Sequence, residues 1–311
     1  MGKSIRIGTR ESQLAIWQAT QVKELLARSG FASELIFIKS EGDIDLVTPL
    51  YELGVQGIFT KSLDAALLSD KIDIAVHSMK DVPTQLPKGI IQAAVLPRGA
   101  VRDLLVFKNE IVERRYLSRS ADQPFTIATS SIRRKAQWLN RFPNDNIENL
   151  RGNVNTRLQK LQERNWDAAI FAQAGLERIG LRPPNSLSID WMLPAPAQGA
   201  IVVLCRETDE ICSKACQHFN DYGTQLCTRI ERDFLRQLLG GCSTPISALA
   251  EIKDSEIVFK GNILSVDGSE KVEVKATGKV DESFDLGIKA ALDLLNRGGQ
   301  KIVEGIRYAT K

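Results

Sequence analysis

The sequence predicts an α/β protein that ends in a separate α+β domain, and three observations predict it. Strand and helix signals alternate through residues 1–98, the alternation restarts after residue 98, and from residue 219 onward a helix and antiparallel strands replace it. A chain of 311 residues also exceeds one ordinary core and points to two or three domains.

A first strand is expected at 4–7, ending at Gly8, with a helix from Ser12. Ala15, Ala19, Val22 and Leu26 fall on one face of that helix at spacings of three and four. Strand 34–38, helix 61–68 and the short apolar strand 72–76 complete the first block. In the second block 103–107 and 126–128 read as strands, 131–139 as a helix, 147–150 as a strand, 155–164 as a helix and 168–171 as a strand. Pro183-Pro184 and Leu193-Pro194-Ala195-Pro196 punctuate its end. The apolar strand 200–205 lies apart from its neighbours and is expected to return to the first sheet. The last block starts with helix 225–239, broken at Gly240-Gly241. Strands follow at 247–252, 256–264 and 271–277, with a hairpin turn at Val266-Asp267-Gly268-Ser269, and helix 284–296 closes the chain.

Composition excludes several function classes. The 41 basic and 38 acidic residues leave a net charge of +3, so no global field recruits nucleic acid or an anionic membrane. No apolar run approaches the length of a membrane span, and with a strand beginning at Ser4 no leader is expected. Five cysteines at irregular spacing fit reduced thiols in a cytoplasm better than a disulfide framework. Cys212, Cys216, His218 and Cys227 match no standard zinc spacing; no metal is expected, and Cys212 and Cys216 read as core residues. With His77 and His218 the only histidines, a histidine-based triad is not expected, and His77 reads as a packed residue.

The candidate chemistry gathers where strands end. Asp81, in His77-Ser78-Met79-Lys80-Asp81-Val82-Pro83, follows an apolar strand, where a carboxylate can move a proton or stabilise a developing cation; a turn cap is the alternative. Arg133 and Arg134 follow Thr129-Ser130-Ser131 at a strand-to-helix junction, which offers free N–H groups, hydroxyls and two guanidinium forks to an anion. Arg151-Gly152-Asn153 with Arg157 repeats that arrangement, as do Arg10 and Ser12. Three such junctions imply a ligand with several anionic groups, and without a P-loop or Gly-x-Gly-x-x-Gly motif separate carboxylates suit them best. Cys242, in Gly240-Gly241-Cys242-Ser243-Thr244-Pro245-Ile246, presents a thiol with little steric cover.

These segments resemble the porphobilinogen deaminase family, also called hydroxymethylbilane synthases. Ile7 to Ser12, Gly57 to Lys61, His77 to Pro83, Ala128 to Lys135, Leu150 to Arg157, Ala172 to Leu181, Gln198 to Ala200 and Glu231 to Ile246 occur in the family's order. The resemblance implies two lobes like those of type II periplasmic binding proteins, 1–98 with 198–218 and 99–197, and a C-terminal domain, 219–311, that carries the cysteine loop. It implies a cytoplasmic, monomeric transferase that condenses four porphobilinogen molecules into hydroxymethylbilane and releases ammonia. A dipyrromethane cofactor would be bound to Cys242 by a thioether, with Asp81 catalytic. Ser78, Lys80, Asp81, Thr129, Ser130, Arg133, Arg134 and Gly152 would hold the cofactor. Arg10, Ser12, Arg151, Arg157, Arg178 and Gln198 would hold substrate. Gln56, Ser62 and Ala197 depart from the lysine, acidic residue and glycine usual there. The competing class is a binding protein for tetrapyrrole precursors on the same fold, against which the joint presence of Asp81 and Cys242 argues.

Overall fold

The computed structural model describes residues 4–39, 60–120, 123–238 and 244–309. Strand β1 (Ile5–Thr9) runs into α1 (Gln13–Arg28), whose N-terminus is capped by the Ser12 hydroxyl accepting from the Ala15 N–H. The stripe of Ala15, Ala19, Val22 and Leu26 is buried, as its spacing predicts. Then come β2 (Ser33–Phe37), α2 (Lys61–Leu68), β3 (Ile74–Ser78) and β4 (Ile90–Val95). The second lobe holds β5 (Asp103–Phe107), α3 (Glu110–Leu117), β6 (Thr126–Ala128), α4 (Ile132–Arg141) and β7 (Asn146–Glu148). It continues through α5 (Val154–Glu163), β8 (Ala168–Ala172), α6 (Gln173–Glu177) and β9 (Ser186–Ser188).

The chain then returns through β10 (Ile201–Arg206), which inserts antiparallel between β3 and β4. The first sheet therefore has the order β2-β1-β3-β10-β4 and the second β7-β6-β8-β5-β9. The two orders follow one plan. Three strands lie parallel, and the fourth is an antiparallel strand that has just crossed from the other lobe: β5 on the way out, β10 on the way back. Crossing segments at residues 99 and 199 lie side by side, the Gly99 N–H donating to the Gly199 carbonyl at 3.0 Å. Gly199 has φ +87, and a Cβ there would meet the Gly99 oxygen at 2.7 Å, so this close approach requires glycine.

After α7 (Glu210–Gln217), helix α8 (Tyr222–Leu238) packs on a sheet of β11 (Ile246–Lys253), β12 (Glu256–Leu264) and β13 (Lys271–Lys279), with α9 (Leu286–Leu294) on the same face. The sequence places the last helix at 284–296. Instead α9 breaks at a wide turn, Leu295–Gly299, where Gly298 has φ +105, and the chain continues as α10 (Gln300–Ala309). The sequence reading also omits β4, α3, α6 and β9. Helix α3 lays only Val112 and Tyr116, both partly buried, on the core, too short a stripe to stand out, and β9 is three residues long.

One buried carboxylate ties the three bodies together. Glu231, fully buried in α8, receives both terminal nitrogens of Arg98 at 2.6 and 2.9 Å. It also accepts the Ala197 N–H at 2.6 Å and the Ala250 N–H at 2.7 Å. Arg98 in turn donates Nε to the Gln198 carbonyl at 3.0 Å. Burial opposes the Arg98 charge, but Glu231 outweighs it and raises the guanidinium above its usual range. Ala197 is held at φ +62. The left-handed conformation costs an alanine about 1–2 kcal/mol, which the Glu231 bond and complete burial of the methyl help to offset. Glu231→Gln should lower stability by about 2–3 kcal/mol, because it removes a charge-assisted pair in a dry site. Urea unfolding checks this; a loss under about 0.5 kcal/mol would mean that the pair does not hold the bodies together.

Candidate active site

Asp81 ends a single 3₁₀ turn, Met79–Asp81, at the C-terminal edge of β3. The turn is closed by the Val82 N–H donating to the Met79 carbonyl at 3.2 Å, and anchored to the returning strand by the Met79 N–H on the Ala200 carbonyl at 3.0 Å. Met79 and Val82 are buried while Asp81 is half-buried, so the carboxylate is offered to a ligand from a rigid seat. The neighbouring Ser78 hydroxyl accepts from the Gln18 amide at 2.8 Å, which orients it. His77 is buried, and burial together with the Arg10 charge pushes its pKa down to about 3. It is therefore neutral at neutral pH, a packed residue in agreement with the sequence reading.

The second lobe supplies the cations. Its β6 is followed by Thr129 and Ser130, and Ser131 caps α4 through the Arg134 N–H at 3.5 Å. This places Arg133 and Arg134 in the first turn of α4, where both are buried. Each donates to one oxygen of Asp103, at 2.7 and 2.8 Å, and each donates to a carbonyl as well: Arg133 to Leu193 at 2.6 Å, Arg134 to Ile170 at 2.8 Å. Burial alone would raise the Asp103 carboxyl, but the two guanidinium groups hold it well below the usual carboxylate range. The Nε of Arg134 is buried without a hydrogen-bond partner among the described residues.

At the next junction Arg151 is buried and Gly152 adopts φ +114, where a Cβ would press on Thr156 at 2.8 Å. The Gly152 carbonyl accepts from Arg157 Nε at 2.7 Å and so bends that side chain back toward the strand ends. Burial, then the charges of Arg134 and Arg151, lower the Arg157 guanidinium to about 10, and Asp81 opposes them. Burial lowers Lys80 to about 8, again opposed by Asp81, with Arg134, Asp103 and Arg133 also within its field. Lys80, Arg133, Arg134, Arg151 and Arg157 thus share a site with Asp81 and Asp103: among the described residues, five cations against two carboxylates. Such a surplus fits a ligand that brings several carboxylates.

Other predicted residues sit at the margins. Gln198 is buried at the crossing. Its amide nitrogen donates to the Val101 carbonyl at 2.8 Å and to Asp103 at 2.9 Å, and its oxygen accepts from Lys80 at 3.5 Å. It joins Asp103 to Lys80 across the hinge. Arg178, lowered to about 10 by burial, donates to the Gly199 carbonyl at 2.6 Å and lies over the Trp17 ring at 5.7 Å. Ser12 is engaged as the α1 cap, and Arg10 lies close enough to act on His77. At the mouth the Asn155 amide donates to the Gln13 side chain at 3.0 Å, one lobe touching the other. Cys242 and Gln56 lie outside the described residues. Cys205, Cys212 and Cys216 are packed in the first lobe's core, and burial raises each thiol, Cys205 to about 11 and Cys216 to about 12.

Sequence reasoning missed Asp103, Gln18 and Glu231 as parts of this arrangement. Two of them carried a signal. Asp103 opens the otherwise apolar run Leu104-Leu105-Val106-Phe107, and Glu231 lies on the stripe of Cys227, Ile230 and Phe234. A carboxylate on a buried face demands a buried cation.

A family model for "Porphobilinogen deaminase, dipyromethane cofactor binding domain" matches residues 5–214, and one for "Porphobilinogen deaminase, C-terminal domain" matches residues 225–296. The chain is 41% identical over 308 residues to a porphobilinogen deaminase of Pelobacter propionicus, covering 98% of this chain and 97% of that protein. It is 39% identical over 313 residues to one of Acidithiobacillus ferrooxidans, covering 99% of this chain and 100% of that protein. The chloroplastic protein of Oryza sativa subsp. japonica is 42% identical over 300 residues, 93% of this chain and 81% of its own length. Among solved structures, the Bordetella pertussis BvgS VFT2 domain aligns with a TM-score of 0.41 and 12% identity over 69% of this chain and 85% of that domain.

Proposed function

The chain belongs to the porphobilinogen deaminase family, enzymes that condense porphobilinogen into hydroxymethylbilane in tetrapyrrole biosynthesis, and on that premise we propose which residues carry the reaction. Asp81 is its proton carrier, the cations of the second lobe are its carboxylate holders, and Cys242 is the tether of a dipyrromethane cofactor. The observation that carries this reading is the surplus, among the described residues, of five cations over two carboxylates around half-exposed Asp81. Each pyrrole ring brings an acetate and a propionate, so a two-ring group fits a site in which Arg134 Nε has no partner among the described residues.

When bound, the dipyrromethane supplies the free pyrrole α-carbon at which the chain is extended, and a thioether at Cys242 would retain it between additions. The protein's own residues do the rest. Arg133, Arg134, Arg151 and Arg157 engage ring carboxylates with charge-assisted bonds, with Lys80, Thr129, Ser130 and Ser78 as further donors. Arg10 and Arg178, one in each lobe, extend the carboxylate contacts to incoming substrate, with Ser12 beside Arg10. Gly152 lets the backbone approach the ligand closely and sets Arg157. Gln198 serves the site through Asp103 and Lys80.

As ammonia leaves the aminomethyl group of porphobilinogen, positive charge spreads onto the pyrrole nitrogen. A carboxylate at Asp81 accepts the N–H and stabilises that charge, then takes the proton displaced from the α-carbon. Cytoplasmic residence, a monomeric state and the division into 1–98 with 198–218, 99–197 and 219–311 belong to the same proposal.

The test is the intact mass of the purified protein with peptide mapping around Cys242. An excess of two linked pyrrole units on the Cys242 peptide is expected. A bare chain that gains no adduct on incubation with porphobilinogen would overturn the tether and favour a binding protein.

A further inference from the structure

Arg232 follows Glu231 in α8 and reaches into the first lobe. Its NH1 donates to the carbonyls of Val82 at 2.8 Å and Met79 at 3.3 Å, and its NH2 to the Pro83 carbonyl at 2.5 Å. These three carbonyls bracket Asp81: one lies two residues before it, the others one and two residues after. A planar guanidinium that spans both sides of a turn fixes the turn as a unit, which an ammonium on a flexible stem cannot do equally well. The Met79 carbonyl also closes the 3₁₀ turn, so the clamp acts on the hydrogen bond that shapes it. Helix α8 ends at Leu238, four residues before Cys242 in the sequence. Its other grip, Glu231 on Arg98 and the Ala197 amide, is one residue away and holds the crossing between the lobes.

We propose that Arg232 is a positioning residue for the reaction: from the C-terminal domain it clamps the turn that aims the Asp81 carboxylate. The inference rests on the reading of Asp81 as proton carrier. It assigns to α8 a role beyond carrying the cysteine loop, since the helix sets the catalytic carboxylate of another domain by hydrogen bonds to its backbone.

The experiment compares Arg232→Met and Arg232→Lys in the full-length, cofactor-loaded protein, each also combined with Asp81→Asn. Arg232→Met keeps the length of the side chain and removes its donors. Its kcat is expected to fall about 10- to 100-fold, as for a misplaced reacting group, with KM changed less than about twofold and the adduct mass unchanged. Arg232→Lys should recover part of the loss. In the Asp81→Asn background, single-turnover ammonia release should respond to Arg232→Met by less than about twofold, because no carboxylate remains to be aimed. An equal loss in both backgrounds would overturn the proposal, as would wild-type kcat in folded Arg232→Met. Wild-type turnover of Asp81→Asn alone would instead refute the reading of Asp81, so the two failures are told apart.

Discussion

Asp81→Asn is expected to fold, to carry the same covalent adduct as the wild type and to turn over about 10²–10⁴ times more slowly. The size follows from what the amide loses. Asparagine keeps the shape and can still accept a hydrogen bond from a pyrrole N–H, but it can neither take a proton nor balance the charge that develops as ammonia leaves. The fold is spared because the seat of Asp81 is backbone and apolar packing: the Met79 and Val82 amides, the burial of both side chains, and the three carbonyls held by Arg232. The electrostatics of the site predict a second signature. Asp81 supports the charged forms of Lys80 and Arg157 against burial, so its neutralisation should lower the Lys80 pKa further below about 8. Steady-state kinetics, adduct mass and titration of Lys80 by its pH-dependent modification check the three statements. A folded variant with kcat within tenfold of wild type would remove Asp81 from the chemistry.

Much of this architecture was legible in the sequence because burial writes a pattern into it. The α1 stripe follows from spacings of three and four, and strands β3, β5, β8 and β10 from short continuous apolar runs that are buried on both faces. The basic junctions were legible for a related reason. A helix that starts directly after a buried strand places its first residues at the sheet's edge, and Arg133, Arg134, Arg151 and Arg157 are found there. What the pattern could not give is how those residues are held. Asp103 reads locally as the first residue of a strand, yet it binds partners about thirty residues away and, through Gln198, one 95 residues away. Arg232 reads as one more helix arginine, while its bonds span about 150 residues. Local sequence reports which face of an element is dry. It does not report which distant carbonyl will meet a given guanidinium, because that depends on how separately folded layers dock.

Asp103→Asn should have the largest effect on stability of any single change in the site, a loss of about 3–5 kcal/mol near neutral pH. Asp103 is fully buried, and Arg133 and Arg134 are nearly so, so the substitution leaves two guanidinium groups in a dry site without a counter-charge. The asparagine nitrogen would also meet donors, from one arginine or from Gln198, where an oxygen stands now. The pH dependence distinguishes this account from a general packing defect. The folded carboxyl is held below its unfolded value of about 3.9, so its contribution is present in full above that pH and is lost as pH falls toward the folded value. The gap between wild type and Asp103→Asn should therefore stay level from about pH 8 to pH 5 and narrow below about pH 4. His77 contributes in a different window, since a neutral imidazole held at about 3 loses stability as pH falls below about 6.5, in wild type and variant alike. Both proteins lose the His77 contribution together as pH falls from about 6.5 toward 3, and below about pH 4 the wild type alone also loses the Asp103 contribution. A ligand rich in carboxylates should offset the defect by supplying the missing countercharge to Arg133 and Arg134, so the variant's loss of stability should shrink in the adduct-bearing form. Urea unfolding of bare and adduct-bearing protein across this pH range decides the matter. A gap that persists unchanged at pH 3, or an adduct that stabilises wild type and variant equally, would show that the charge on Asp103 is not what holds the two arginines in place.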